Sequence, residues 1–170
     1  MVGTSVGAGK IKTAVADSKR FGVLIPLLGA VVGVVIIFLR VPIMGLFNMG
    51  GELTNKTVET AKIVLLLYSI ELPIRNIPYV FIVGIFRSGG DTVKGAKIDI
   101  LSLWLVALPL TAILAFWIKA PFAVVFAAMY IGEDYLKTFL CIRHVKSKKW
   151  IKPITEEGKE GLSKYLKNNK

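Results

Sequence analysis

The chain has 170 residues and carries 22 Lys and Arg against 11 Asp and Glu, which gives a formal net charge of +11. Hydrophobic residues make up 54% of the sequence and the mean hydropathy is +0.64, values that argue against an ordinary soluble domain and indicate a membrane protein. The basic residues lie outside the apolar runs, and no aromatic residues alternate with them as a base-stacking surface would require, so we expect no nucleic-acid partner.

The first predicted membrane span covers Phe21–Leu39, a run without charged residues. It is long enough to cross roughly 30 Å of hydrocarbon as a helix. Pro26 lies inside the run, where a proline kinks a helix. Gly29 and Gly33 have the spacing at which a neighbouring helix can pack closely. A polar loop, Arg40–Thr60, is predicted to follow this span.

The second predicted span, about residues 60–86, carries polar side chains near the middle of the bilayer. Pro73 and Pro78 interrupt its backbone hydrogen bonding, so we expect the helix to bend between them. Most of its polar side chains fall within a wedge of about 80° on a helical wheel. The candidates for a substrate or ion pathway are Tyr68, Glu71, Arg75, Asn76 and Tyr79. The alternative for Glu71 and Arg75 is an internal ion pair four residues apart that faces other helices.

The third and fourth predicted spans cover about residues 96–118 and 121–142. Asp99 lies roughly one turn inside the third span, where it can reach the surface or cap the helix. Lys137 follows Glu133 by four residues, the favourable order for an ion pair, and we expect it to neutralise only one acid. The secondary candidates for the pathway are Asp99, Glu133 and Asp134.

The distribution of basic residues predicts how the four spans are oriented. Sixteen Lys and Arg lie on the side that holds both termini and the turn between the second and third spans, against four on the other side. The positive-inside rule places the more basic side in the cytoplasm. Both termini and this turn are therefore predicted to be cytoplasmic.

The tail after the fourth span is basic. Trp150 lies among lysines, a pattern typical of a segment that anchors at lipid headgroups. Residues 156–170 are predicted either to form a loose helix or to stay disordered.

The turn between the second and third spans reads Gly84-Ile85-Phe86-Arg87-Ser88-Gly89-Gly90-Asp91-Thr92. Gly89 and Gly90 can take the positive φ that closes a tight turn, and Asp91 or Thr92 can cap the next helix. This turn resembles the turn between the tenth and eleventh helices of the multidrug and toxic compound extrusion family. The stretches Asp99–Pro109 and Arg143–Thr155 also resemble that family. Members of that family are cation-coupled efflux transporters.

The resemblance covers roughly residues 3–155 and implies a fold of two lobes and twelve helices, of which the chain matches the last four. Residues 1–20 would then be the cytoplasmic end of a preceding helix and a basic linker helix. Residues 21–143 would be the four-helix membrane region, and 144–170 the cytoplasmic tail. The fold class is therefore an all-α polytopic membrane protein. A chain of this kind is expected to be a C-terminal fragment that works with the missing N-terminal helices.

The resemblance also implies a function. The chain is expected to be part of an antiporter in the inner (plasma) membrane that exports small organic cations, with sodium or a proton as the coupling ion. It implies no cofactor, and the lipid bilayer is its other partner. One alternative is a non-transporting small membrane protein or remnant; another is a piece of a lipid-linked polysaccharide flippase. We predict no enzyme active site and no metal site, because the single His144 and single Cys141 have no ligand partners near them in sequence.

Overall fold

The computed structural model describes residues 1–168, and every regular element in that range is a helix. The α-helical fold that the sequence predicts is therefore confirmed. The six helices, with π-helical turns counted as part of the helix that contains them, are α1 (Val2–Gly7), α2 (Ile11–Phe47), α3 (Asn55–Gly89), α4 (Thr92–Trp117), α5 (Phe122–Lys146) and α6 (Glu156–Lys167).

Three of these helices, α2, α3 and α4, are long and apolar enough to cross a membrane. This number, together with the helical fold, confirms a polytopic membrane protein. The fourth predicted span also exists as a helix, because α5 runs for 25 residues. It is not among the three because charged residues interrupt its apolar run, and Glu133, Asp134 and Lys137 lie near its middle. That α5 crosses the membrane remains a prediction.

The helix α2 is longer than the sequence predicts. Its 37 residues span about 55 Å at the usual helical rise, which exceeds the thickness of the hydrocarbon core. The basic linker helix and the first span are continuous, and Pro26 and Pro42 both lie inside the helix. The predicted polar loop Arg40–Thr60 is wrong at both ends, since only residues 48–54 separate α2 from α3. Thr54 caps α3, where its hydroxyl accepts a hydrogen bond from the Thr57 amide.

The helices α3 and α4 both change from α-helical to wider π-helical turns. In α3 the change occurs at Val80–Phe86, two residues after Pro78, and in α4 it occurs at Leu103–Ala107 and Ile113–Trp117. π-helical turns are rare in proteins, and those that do occur are often found at functional sites. The chain stays helical through Pro73 and Pro78. The bend that these prolines predict remains a prediction.

The packing order of the helices follows from their contacts. The helix α3 packs along α2 on one side and against α5 and α4 on the other. Gly29 and Gly33 of α2 lie directly against α3, because a Cβ at either position would collide with Asn76 or with the Ser69 carbonyl oxygen. The small-residue spacing in the first span thus marks a close approach of two helices, as the sequence indicates.

The buried core lies at one end of the bundle, around the turn between α3 and α4. Its members come from α1, from the starts of α2 and α4, from the ends of α3 and α5 and from the tail. Phe86 is fully buried, while most apolar side chains in the middle of α2, such as Val23 and Leu27, are exposed. In a bilayer, exposed apolar side chains of this kind can contact lipid. The turn end is therefore held by protein contacts, and α2 presents an apolar face along most of its length.

The turn itself combines Gly89, Gly90 and Asp91. Gly90 has a φ of 91°, in the left-handed region that favours glycine. A Cβ at Gly89 would collide with the Trp150 ring. Trp150 is only 1% exposed and packs beneath this turn, so its predicted position at the lipid headgroups is wrong. The Lys152 amide also donates a hydrogen bond to the Gly89 carbonyl at 2.7 Å.

Asp91 occupies the position before α4, but its carboxylate does not cap the helix as predicted. It accepts hydrogen bonds from the Lys152 ammonium at 2.6 Å and from His144 Nε2 at 2.7 Å. Burial alone would raise the pKa of Asp91, but these bonds and the charge of Lys152 and His144 outweigh it and lower the pKa. The carboxylate therefore ties the turn to α5 and to the tail.

The tail continues as α6, which packs on α1 and α2. The Thr155 hydroxyl donates to the Gly7 carbonyl at 2.6 Å and accepts from the Gly158 amide at the start of the helix. The structure thus favours the helical alternative for residues 156–167, and residues 169–170 lie outside the described part of the chain.

Candidate functional site

The five pathway candidates on α3 are spaced so that most of them share one face. Glu71 is buried, Arg75 and Asn76 are half-buried, and Tyr79 is exposed. Tyr68 lies one turn before Glu71 and reaches α5, where its ring meets that of Tyr130 edge-on at 6.0 Å. The face predicted from the helical wheel therefore points largely toward α5.

Lys137 on α5 contacts two acidic side chains, Glu133 and Asp99. Its side chain is only 9% exposed. Its ammonium contacts Glu133 Oε1, one turn back on the same helix, and donates to Asp99 Oδ1 on α4 at 2.6 Å. Of the two neighbouring acids on α5, Lys137 pairs with Glu133 and not with Asp134, as predicted, and its additional salt bridge to Asp99 joins α5 to α4. Asp99 neither caps its helix nor stands alone at the surface.

Arg75 on α3 faces the same region from the other side. Its guanidinium lies 4.6 Å from the Tyr130 ring centre and 5.9 Å from that of Tyr68, a cation–π arrangement. Its Nη1 lies 3.9 Å from Asp134 Oδ2, too far for a hydrogen bond but within reach of an ion pair. Among the described ion pairs, Arg75 pairs with Asp134 rather than with Glu71. The predicted pair between Glu71 and Arg75 is therefore replaced by one between helices.

Tyr130 is a site residue that the sequence analysis did not select. Its ring packs on Phe126 at 4.7 Å, and Phe126 packs on Phe122 at 6.2 Å. The three aromatic residues recur every four positions, which places them on one face of a helix. This four-residue spacing was the sequence signal that could have identified Tyr130. Tyr130 itself contacts Tyr68 and Arg75 on α3.

These side chains surround a cavity of about 330 Å³ between α3, α4 and α5. Every pathway candidate lines it except Glu71, together with all three secondary candidates and Lys137. Its lining residues are Tyr68, Leu72, Arg75, Asn76, Pro78, Tyr79, Ile82, Val83, Asp99, Glu133, Asp134 and Lys137. The structure thus brings residues from three predicted spans to one place.

The polar groups of this region are incompletely satisfied. Acidic side chains outnumber basic ones, because the set consists of Glu71, Asp99, Glu133 and Asp134 against Arg75 and Lys137. Glu71 Oε1, Arg75 Nη1 and Asp134 Oδ2 are buried and have no hydrogen-bond partner among residues 1–168. Such groups are costly in a buried site unless a ligand or ion completes them. The cavity can therefore accept a cationic or hydrogen-bonding group.

No three His, Cys, Asp or Glu side chains in the described range converge to form a metal site. Cys141 is buried with a free thiol. The turn residues Gly89, Gly90 and Asp91 lie at the end of α3, outside the cavity lining. Their contacts hold the fold, as described above.

Comparisons with known proteins give one positive result. The sequence profile of the MatE family matches residues 1–113, which include α1 to α3 and most of α4. No curated protein and no solved structure matches the chain. The matched part covers Glu71, Arg75 and Asp99, whereas the charged residues of α5 lie beyond it. Since the match extends over more than half of the sequence, the chain belongs to the MatE family, whose members are membrane transporters rather than enzymes.

Proposed function

We propose that the chain supplies helices to a cation-coupled antiporter that exports organic, often cationic, compounds, and that the cavity between α3, α4 and α5 lies on the transport path. The observation that carries this proposal is that Asp134 Oδ2 is buried without a hydrogen-bond partner among the described residues, in a cavity where acids outnumber bases. Ionisable groups inside a membrane are costly, and a transport path is one of the few settings that retains them.

The shape and chemistry of the cavity favour a cationic substrate. Tyr68 and Tyr79 line it with aromatic rings, which attract cations through their faces. Asp134 and Glu133 add negative charge. A flippase for lipid-linked sugars would have to accept a phosphate, and the excess of carboxylates disfavours that charge.

The same acids support ion coupling. A proton or sodium ion that binds a carboxylate of the cavity removes the negative charge that attracts the substrate. The two ligands would then compete, and competition of this kind is the reciprocal coupling that an antiporter needs. Either ion fits the residues present.

The decisive experiment measures substrate binding to the chain itself. The purified chain in nanodiscs would be titrated with tetraphenylphosphonium, first at low sodium and neutral pH, then at high sodium or at acidic pH. We expect binding that sodium or protons weaken. Asp134→Asn should abolish the ion effect, and Glu52→Gln, in the exposed loop between α2 and α3, should preserve it. Two results would refute the proposal. One is binding that neither ion weakens, and the other is an ion effect that persists in Asp134→Asn.

We also propose that both termini and the turn between α3 and α4 face the cytoplasm of a cell whose inner membrane holds the protein. The support is the excess of Lys and Arg on that side. A membrane-impermeant thiol reagent should label Asn55→Cys from outside but not Ser88→Cys, since both positions are exposed and the native Cys141 is buried. Labelling of Ser88→Cys in sealed cells would invert the topology.

A further inference from the structure

We propose that a basic cavity between the start of α4 and the end of α5 binds the phosphate headgroup of an anionic phospholipid. The cavity has a volume of about 970 Å³ and lies beside the turn that ends α3. It is separate from the charged cavity described above, because the two share no lining residue. The inference therefore does not depend on the proposed transport function.

The polar wall of this cavity is strongly basic. It is lined by Lys94, Lys97, Arg143, His144, Lys149 and Lys152, with Asp91 as the one acid among its lining residues. Both carboxylate oxygens of Asp91 are already occupied, by Lys152 and by His144. The acid therefore cannot neutralise the remaining cations.

Four of these cations have no acidic partner. Lys94, Lys97, Arg143 and Lys149 form no ion pair with any residue in the described range. All four side chains are exposed, so they can turn toward a ligand. Guanidinium and ammonium groups are the usual donors to phosphate oxygens, and Arg143 can offer two parallel hydrogen bonds.

Apart from Ser147, the rest of the cavity wall is apolar. The apolar part of the wall consists of Ile98 and Leu101 of α4 and Leu140 of α5. Leu101 is 50% exposed, so an acyl chain can lie against it without displacing the core. A basic pocket that continues into an apolar groove between membrane helices matches a phospholipid, in which an anionic headgroup is joined to hydrocarbon.

This combination distinguishes a lipid from a free anion. Inorganic phosphate could use the cations alone and would gain nothing from Leu101 or Leu140. A phospholipid uses both walls at once, and it is already concentrated at the membrane surface. It would connect α4, α5 and the tail segment that carries Lys149 and Lys152.

The test is native mass spectrometry of the full chain in a neutral detergent, titrated with phosphatidylglycerol or with phosphatidylcholine. We expect selective retention of phosphatidylglycerol. The triple variant Lys94→Gln, Lys97→Gln and Arg143→Gln should weaken it by roughly a hundredfold, because each basic residue near an anionic lipid contributes about fivefold. The matched control removes three exposed cations outside the cavity, through Lys12→Gln, Lys164→Gln and Lys167→Gln, and should retain the lipid as the parent does.

A second variant keeps the charge and changes the apolar wall. Leu101→Trp should reduce retention of phosphatidylglycerol by filling the groove, and it stays informative if the triple variant does not fold. A third arm adds inorganic phosphate, which should not displace the lipid. Each of four results would overturn the proposal. These are equal loss of lipid in the cavity and control variants, equal retention of phosphatidylcholine, whose zwitterionic headgroup has no net charge, unchanged retention by Leu101→Trp, and displacement by phosphate.

Discussion

Two carboxylates in this molecule lie in similar burial but in opposite states of satisfaction. Asp91, at the turn, accepts hydrogen bonds at 2.6 Å and 2.7 Å from two basic side chains. Asp134, in the cavity, has its nearest basic atom at 3.9 Å, and its Oδ2 has no hydrogen-bond partner among the described residues. Burial alone therefore does not separate a residue that holds the fold from one that is available to a ligand.

The difference follows from what each carboxylate joins. Asp91 binds residues 53 and 61 positions away in sequence, so it closes the turn against α5 and the tail. Asp134 faces a cavity, where the remaining space separates it from its partner. Mutation of Asp91 and its partners should lower the stability of the fold, whereas mutation of Asp134 should change ligand binding. The predictions below test this division, from the largest expected change to the smallest.

The largest loss of stability should come from Trp150→Ala. The side chain is 1% exposed and packs on Gly89, so its removal leaves a cavity beneath the turn. Truncation of a buried aromatic residue typically costs about 3–5 kcal/mol. Thermal unfolding in detergent measures the effect. The control is Ile154→Ala, four residues away and 86% exposed, which should leave the melting temperature almost unchanged. Equal effects of the two variants would show that the turn is not the main structural core.

Asp91→Asn should be the next most harmful, at roughly 2 kcal/mol, since hydrogen bonds to charged groups contribute about that amount. Because the pKa of Asp91 is lowered in the folded protein, its stabilisation is present above its ordinary value of 3.8 and is lost as the pH falls through the lowered value. The difference in melting temperature between parent and variant should therefore shrink in acid below about pH 4. A difference that persists unchanged in acid would contradict the charged pairing.

A smaller effect is expected where α2 meets α3. Gly29→Ala should destabilise by about 1 kcal/mol, the lower end of the cost of overpacking, because the added methyl group must displace the Asn76 side-chain amide and would lie 3.3 Å from the Leu72 carbonyl oxygen. Gly45→Ala, in the same helix, meets no atom within 4 Å and should stabilise by about 0.5–1 kcal/mol through helix propensity. Melting temperatures of the two variants check the sign. Loss of stability in both would mean that the close approach at Gly29 is not the cause.

The smallest change in stability should come from Asp134→Asn. Its carboxylate makes no close hydrogen bond and the facing Arg75 side chain is 40% exposed, so little is lost, about 1 kcal/mol or less. The same variant should nevertheless abolish the effect of sodium or protons on tetraphenylphosphonium binding. A large drop in melting temperature with unchanged ion dependence would place Asp134 with Asp91 as a structural residue.

The helices were largely predictable because uncharged apolar runs and the glycine pair at 89 and 90 are local signals. The charge cluster was predictable in its members but not in its pairs. The spacing of Glu133 and Lys137 indicates their contact, whereas the bond from Lys137 to Asp99 depends on how two helices pack. Helical periodicity shows which residues share one face of a helix, but it does not show which face of another helix packs against them.

The sequence was least informative about the tail. A tryptophan among lysines is typical of a lipid interface, yet Trp150 is buried, because the glycine at 89 leaves space for its ring. Asp91 looks like a helix cap, since the residue before a helix is often acidic. Its actual partners, His144 and Lys152, come from distant segments. Both errors arise where a non-local contact displaces a local preference.

The π-helical segment Val80–Phe86 has a consequence for how this sequence can change in length. A π-helical turn commonly holds one residue more than an α-helical turn, so deletion of one residue there can be absorbed by tightening the turn. A deletion within Asn55–Tyr79 has no such reserve and would rotate one part of the polar face by about 100° against the other. Single-residue deletions in α3 should therefore be tolerated within Val80–Phe86 and rejected among the pathway residues.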